Sequence, residues 1–400
     1  MSGVEPYTFV SFTRHPWSDV WQTWEHLMAR LAREHRVLFC SRAQPWEEVV
    51  HKLKTGGGVR WRSRRITPRL VDLPARPWLP RVPQHKDLDQ FLLRLQAARI
   101  RAALRRRHWG NRILYIWHPE LADMVDRVEA RLVCFHCVDD YLGFSYPTEA
   151  ARRRIADQMR YLLERADLVF AAGEAMRAGL ERDDVHVVPN GVDYALYATA
   201  HDECGPTPLE MEHIPHPIVA HIGRLSVKVD YGLLGQIARR RRDWSVVLIG
   251  PFTGHFPPDE RRARDELLAQ PNAYHIPAKP VEQLPGYLRH VDVALMAYRM
   301  IGWVVRGFPL KLFEYLAAGK PCVGAPLEEN VRHKEYVTVA GDAEEWIAAI
   351  EQWLDNDSEE LAHRRMALAR ANSWDLRCRQ ILRAIAARLG DPAPEELDEP

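Results

Sequence analysis

The stretch Pro309–Pro326, PLKLFEYLAAGKPCVGAP, does most to limit how this chain folds. Leu310, Phe313 and Leu316/Ala317 recur at three- and four-residue spacing and give a helix one apolar face. Gly319 stops that helix, Pro321 prevents its continuation, and Cys322–Val323 begin a short buried strand. Lys311 and Glu314 share a side near the helix start, where an anion would also feel the positive end of the helix dipole. Glu314, one turn in, is placed to accept two hydrogen bonds from a sugar diol, as the ribose-binding acid of dinucleotide folds does. A plain amphipathic helix with both side chains in water fits the same residues.

Four hundred residues are too many for one ordinary core and suit two domains. A chain that is 46% hydrophobic and 27% charged has the composition of a soluble globular protein. Its net charge of +1 gives no global sign of a nucleic-acid binder, yet the charge is unevenly spread. Arg60–Arg107 holds fourteen Lys/Arg against three Asp, a local balance of +11 that leaves the remainder near −10. Six cysteines are scattered at 40, 134, 137, 204, 322 and 378. Cys134 and Cys137 lie in a strand-like run, where positions three apart face opposite ways, and no second pair stands at zinc spacing, so no metal is expected. The N-terminus has no charged start followed by an apolar core, and no apolar run reaches eighteen residues. A reduced, cytoplasmic protein is expected.

In the first half, Tyr7–Phe12, Val20–Arg33 and Arg36–Cys40 read as strand, helix and strand, the opening of a parallel sheet without GxGxxG in its first turn. Arg14 and His15 in the intervening loop either meet a substrate or lie in solvent. Gly56–Gly58 and VRWRSRRITPRL read as a flexible arm. Leu88–Arg107 is predicted to be a helix with Phe91, Leu92, Leu95, Ala98, Ala102 and Leu104 on or near one side. Its basic surface suits anionic lipid, at roughly 1 kcal/mol per basic residue, or nucleic-acid phosphates, or simply water. Two later strands end in WHPE and CVDDY, which puts His118, Asp139 and Asp140 just past strand C-termini, where ligands bind in open parallel sheets. A His or Asp so placed can take a proton from an acceptor hydroxyl, and the Asp pair can equally cap the next turn. In VHVVPNGVD, Asn190–Gly191 supplies a backbone turn.

His201–Pro217, with four prolines and one glycine, reads as an interdomain link. Ile218–His221 then forms a strand that leads into GRLSVKVDYGLL. Gly223 permits a tight turn and close backbone approach, and Arg224 and Lys228 place two cations ahead of a helix over Tyr231–Arg240. Trp244–Gly250 is a further buried strand.

KLFEYLAAGKP resembles the C-terminal signature of GT-B glycosyltransferases, in particular bacterial exopolysaccharide and teichuronic-acid transferases. GRLSVKVDYGLL is similar to their GRLxxxKgxxxLL, VHVVPNGVD to their VIPNGVD, and SWDLRCRQILRAIAARL to their terminal helix. The resemblance implies an α/β chain of two doubly wound Rossmann-like domains facing across a cleft, with the C-terminal helix returning to the N-terminal domain. The expected boundaries are an acceptor domain over 1–200, a linker over 201–217, a nucleotide-sugar domain over 218–372, a crossover helix over 373–390 and a disordered tail over 391–400.

The activity it implies is sugar transfer from a nucleotide donor to a hydroxyl of a saccharide, lipid-linked saccharide or small molecule. A UDP- or GDP-type sugar is the co-substrate, and no cofactor or metal is expected. Arg224 and Lys228 hold the diphosphate, Glu314 the ribose, and the loop from Gly250 lies beside the base, with Gly223 and Lys311 nearby. The acceptor enters past His118 and Asp139/Asp140, and the basic stretch Arg60–Arg107 suggests contact with the inner face of the plasma membrane. Resemblance favours retention of configuration. However, Arg306 stands where many retaining relatives carry a Glu, so inversion with His118, Asp139 or Asp140 as base stays open. A non-catalytic binding protein on the same frame also stays open.

Overall fold

The computed structural model describes residues 5–18, 21–54, 61–144, 148–202 and 205–392. Gly56–Gly58 and all of the expected tail beyond Pro392 lie outside them. The chain divides into two compact units, Met1–Pro189 with Arg377–Pro400, and Asn190–Leu376.

The first unit is built on eight strands: β1 Thr8–Thr13, β2 Arg36–Ser41, β3 Arg64–Thr67, β4 Leu70–Leu73, β5 Arg112–Ile116, β6 Leu132–Cys137, β7 Leu168–Ala171 and β8 Val185–Val187. They lie in the order β3-β4-β2-β1-β5-β6-β7-β8 and are parallel except for β3 against β4. Strands such as TFVSFT are buried along their whole length because helices cover both faces of a parallel sheet. From β1 the order runs outward both ways, so the topological switch lies between β1 and β5. The residues that follow these two strands, Arg14 and His118 among them, are therefore carried to the ligand-binding edge.

The second unit holds β9 Ile218–Ile222, β10 Ser245–Ile249, β11 Ala273–Ile276, β12 Val293–Met296, β13 Cys322–Gly324 and β14 Val337–Val339. All pair in parallel in the order β11-β10-β9-β12-β13-β14, the nucleotide-binding order 3-2-1-4-5-6. Its switch point falls between β9 and β12. The helix Tyr231–Arg240 begins where the sequence places it, because Asp230 accepts from the Leu233 amide as its N-cap.

Four expectations need correction. The arm after Gly58 is in part a hairpin: β3 pairs antiparallel with β4, and β4 joins the sheet beside β2. The helix over Leu88–Arg107 exists as Lys86–Arg106, but it buries Leu93, Ala97, Ile100 and Leu104, while Phe91 and Leu95 stand exposed. Apolar residues recur on two sides of this helix, so spacing alone leaves its rotation undetermined. In the structure the Leu93, Ala97, Ile100 and Leu104 side faces the core, and Arg99 and Arg101 bond to the Pro74 and Arg127 carbonyls from that orientation.

The boundary between the units falls at 189/190 and not at 200/201. Tyr197 and Ala200 pack into the second unit's core, and Asn190 donates to the Phe308 carbonyl at 3.0 Å. Nor is 201–217 a free linker, since Met211 and Ile214 are buried in that same core. Burial of this kind is worth kilocalories. Met211→Ala is expected to lower unfolding free energy by about 2–5 kcal/mol in a denaturant titration, whereas a mere tether would show no change.

Candidate functional site: a glycine turn pair over a buried lysine

At the switch point of the second unit, β9 ends in Gly223 (φ +130°) and β10 in Gly250 (φ +140°). Their turns nearly touch: a β-carbon on Gly250 would stand 1.9 Å from the Gly223 carbonyl oxygen. No other residue fits there, by contact or by backbone angle. Each turn is fixed by a ladder bond to the next strand, Gly223 N to the Ile249 carbonyl at 2.8 Å and Gly250 N to the Ile276 carbonyl at 2.9 Å. His275 donates its Nε2–H to the Gly250 carbonyl at 2.9 Å, and its ring lies 4.5 Å from that of Phe252.

The Lys311 ammonium is lodged beneath Gly223. A β-carbon added at Gly223 would meet Nζ at 3.1 Å. Lys311 is only 7% exposed, which corrects the picture of a side chain in water. Its Nζ donates to His221 Nε2 at 3.1 Å and lies 4.9 Å from the Tyr298 ring centre. His221 is wholly buried, and burial first, then the nearby Lys311 charge, drives its pKa well below the usual value. Neutral, it accepts at Nε2 and so carries its proton on Nδ1.

The helix bearing Lys311 runs only over Lys311–Ala317 and is buried nearly all round, not amphipathic. At seven residues it has little dipole to offer, so the cation itself supplies the field. Tyr315 pins this helix to β9: its hydroxyl accepts from the Ile222 amide at 2.9 Å and donates to the Ile222 carbonyl at 3.2 Å. Gly319, at φ +69°, ends the helix, and Arg365, 2% exposed, donates to its carbonyl through Nε (2.9 Å) and Nη2 (2.6 Å).

Glu314 stands one turn after Lys311 and is half-buried. Burial raises its pKa, against opposing pulls from the Lys311 charge and the Tyr197 hydroxyl. Arg224 is exposed and Lys228 half-buried; both are carried on the loop that runs from Gly223 to the N-cap Asp230. Arg306 follows the short helix Gly302–Val305 and is exposed.

In the first unit, His118 follows β5 and is buried, and its Nδ1 accepts from the Glu120 amide at 3.1 Å, capping the 3-10 helix Pro119–Arg127. Burial, with Arg14 and Arg42 nearby, pushes its pKa down to about 2. The committed acceptor nitrogen leaves Nε2 as a proton donor. Asp140 accepts from the Gly143 amide at 3.0 Å and holds a turn, while Asp139 is half-buried beside it. Glu120 gathers Arg14 (3.3 Å) and Arg42 (3.1 Å) at the ends of β1 and β2, a charged group the sequence does not reveal.

Structure thus brings Gly223, Gly250 and Lys311 into contact, with Glu314 one turn away, and carries His118, Asp139 and Asp140 on the other unit. His221, Tyr315, Tyr197 and Arg365 are absent from the sequence reading. His221 alone left a trace, as the one polar residue in the apolar strand IVAHI. Asn190–Gly191 is structural, as expected, although close approach and not backbone angle explains the glycine: a β-carbon at Gly191 would lie 2.8 Å from the Trp374 amide. Among the described residues one group converges at metal-ligand spacing, His201, Glu359 and His363, on the helices Tyr194–Asp202 and Glu359–Arg370.

Two sheets of this order, each with its ligand edge at the switch point, define the GT-B fold. Solved structures share it along almost the whole chain. Sucrose-phosphate synthase from Thermosynechococcus elongatus superposes with a TM-score of 0.65 at 15% identity, covering 97% of this chain and 100% of its own. HepE from Anabaena, solved in complex with UDP, gives 0.63 at 15% identity, covering 96% and 100%. More particularly, residues 216–356, within the second unit, match the family model for glycosyl transferases group 1. A putative teichuronic acid biosynthesis glycosyltransferase, TuaH of Bacillus subtilis (strain 168), is 29% identical over 248 residues, 59% of this chain. The match spans 61% of that relative's length.

Two outcomes test this geometry. Gly250→Ala is expected to cost about 2–4 kcal/mol of stability, from contact and backbone strain together, read as a shift in the denaturant midpoint. Because folding raises the Glu314 pKa, the fold is most stable with that group protonated and loses stability as pH rises through the raised value. Glu314→Gln should therefore be more stable than the parent at neutral pH, and the gap should close as the pH falls toward 4. Equal unfolding midpoints at neutral pH would refute the burial argument.

Proposed function

We propose that the chain is a glycosyltransferase that moves a sugar from a UDP- or GDP-type nucleotide sugar to an acceptor hydroxyl. The observation that carries this reading is the buried Lys311 ammonium under the Gly223 turn, with the Glu314 carboxylate one turn away at a nucleotide-type switch point. A nucleoside diphosphate fits such a site. The bare turns let phosphate oxygens approach the backbone, Lys311 supplies fixed charge from below, and Arg224 and Lys228 add charge from the loop. Glu314 takes the ribose diol, and the Gly250 loop with Phe252 lies toward the base.

In the reaction the bond from the sugar's anomeric carbon to the diphosphate oxygen breaks, and the new bond forms to the acceptor oxygen. Charge then accumulates on the departing phosphate, where prepositioned cations lower the barrier without reorganisation. Lys311 is held by His221 and the Tyr298 ring, so it loses little conformational freedom on binding. In the retaining course favoured by resemblance, the leaving phosphate oxygen takes the acceptor's proton on the same face, and no protein base or metal is required. An inverting course would instead need a protein base, for which His118, Asp139 and Asp140 are the candidates. The first unit is assigned the acceptor.

Calorimetric titration with UDP, GDP and their sugars tests the donor site. Glu314→Ala should weaken nucleotide binding by about 1–3 kcal/mol, and an unchanged affinity would remove the ribose assignment. Lys311→Met should depress turnover at least as strongly as affinity, since its charge counts most when the diphosphate departs. Tight nucleotide binding with neither transfer nor hydrolysis would instead mark a non-catalytic binding protein.

A further inference from the structure

Large apolar side chains are unevenly placed on the surface of this protein. Ten are exposed among the described residues, and six of them, Trp46, Trp61, Trp78, Leu88, Phe91 and Leu95, fall within one fifty-residue stretch of the first unit. Every exposed Trp or Phe in that set is here. Single exposed apolar residues are ordinary, but a concentration of the bulkiest ones is not.

The segments that carry them are bonded together. The Trp46 amide donates to the Arg81 carbonyl at 3.1 Å. The loop from Pro74 to Val82 is tied to the helix Lys86–Arg106 at both ends, by Arg99 on the Pro74 carbonyl (2.7 Å) and by the Val82 amide on Asp89 (2.8 Å). The Trp61 and Trp78 rings meet edge-on at 5.3 Å. On the helix, Leu88, Phe91 and Leu95 form a stripe opposite the buried Leu93, Ala97, Ile100 and Leu104, and the exposed Arg106 continues it.

Cations accompany the aromatic groups. Arg62 lies over the Trp61 ring at 5.1 Å and Arg76 over Trp78 at 5.0 Å. The whole stretch Arg60–Arg107 carries a balance of +11.

We propose that this face of the first unit seats on an anionic lipid bilayer. Trp46, Trp61, Trp78 and Phe91 would enter the headgroup layer, while the surrounding guanidinium groups pair with lipid phosphates. Trp is suited to that layer because its ring is apolar at one end and hydrogen-bonding at the other. Basic groups near an anionic surface add about 1 kcal/mol each, and the apolar stripe resists the dissociation that salt alone would cause. Nucleic acid would use the same cations but has no partner for Leu88 and Leu95. Among the described residues no helix is long and apolar enough to cross a membrane, so the contact is with the surface. The inference goes beyond the transferase reading and does not depend on it.

Flotation of the full chain with phosphatidylcholine vesicles, with and without phosphatidylglycerol, tests it. The protein should float with the anionic vesicles and at least about tenfold less with neutral ones. Replacing Trp46, Trp78 and Phe91 together by Ser should cut the anionic binding by about tenfold or more, compared under conditions where a denaturant titration shows parent and variant both folded. Arg62→Glu with Arg76→Glu should do the same through charge. No flotation with anionic vesicles, or equal flotation of parent and triple-Ser variant, overturns the proposal. So does retention on DNA or RNA at the same salt with no vesicle binding. Nucleotide titrations of the same variants should match the parent, which keeps a failure here distinct from a failure of the donor site.

Discussion

Two turns that approach too closely for a β-carbon hold the second unit's chemistry in place. The Gly223 carbonyl sits where a side chain on Gly250 would have to be, so β9 and β10 end level with one another. That leaves room below Gly223 for one ammonium group, and Lys311 occupies it. Everything nearby keeps Lys311 there: Tyr315 clamps its helix to β9, and Arg365 satisfies the carbonyl at the helix end. The strand order then brings this cation to the point where the sheet reverses direction, the one edge of such a sheet that opens toward a ligand.

The electrostatics of this region run against stability. His221 is forced neutral, and the Glu314 carboxyl is held above its ordinary range by the burial that brings it near Lys311. Groups like these are common where binding matters more than stability, since a ligand with opposite charge and hydrogen-bond donors relieves the cost on arrival. On the proposed reading, a nucleoside diphosphate would bring phosphate oxygens for the lysine and ribose hydroxyls for the glutamate. The first unit has a parallel arrangement of its own, with Glu120 binding Arg14 and Arg42 at the ends of β1 and β2.

Much of this was legible in the chain before any coordinates. Short apolar runs alternating with helical spacing indicated two parallel sheets, and the helix Tyr231–Arg240 has the ends its sequence predicts, with Asp230 as the N-cap that the structure adds. Gly223, Gly250, Lys311 and Glu314 were identified by resemblance to transferase motifs. The rotation of Lys86–Arg106 was not legible, because two apolar stripes compete and only packing against the rest of the unit shows which is buried. The proline-rich stretch 201–217 looked like a tether because Met211 and Ile214 have no periodicity, although both are core residues.

By itself, the sequence determined the number of sheets, the parallel direction of the strands other than β3, and the motif proposed here for donor binding, since these follow from local periodicity and from residues close together in the chain. Only the tertiary structure decided which groups face one another. Lys311 meets His221 ninety residues away, and the glycines of two separate turns share one gap. Contacts of that separation depend on how strands are ordered in the sheet, and no local pattern encodes that order.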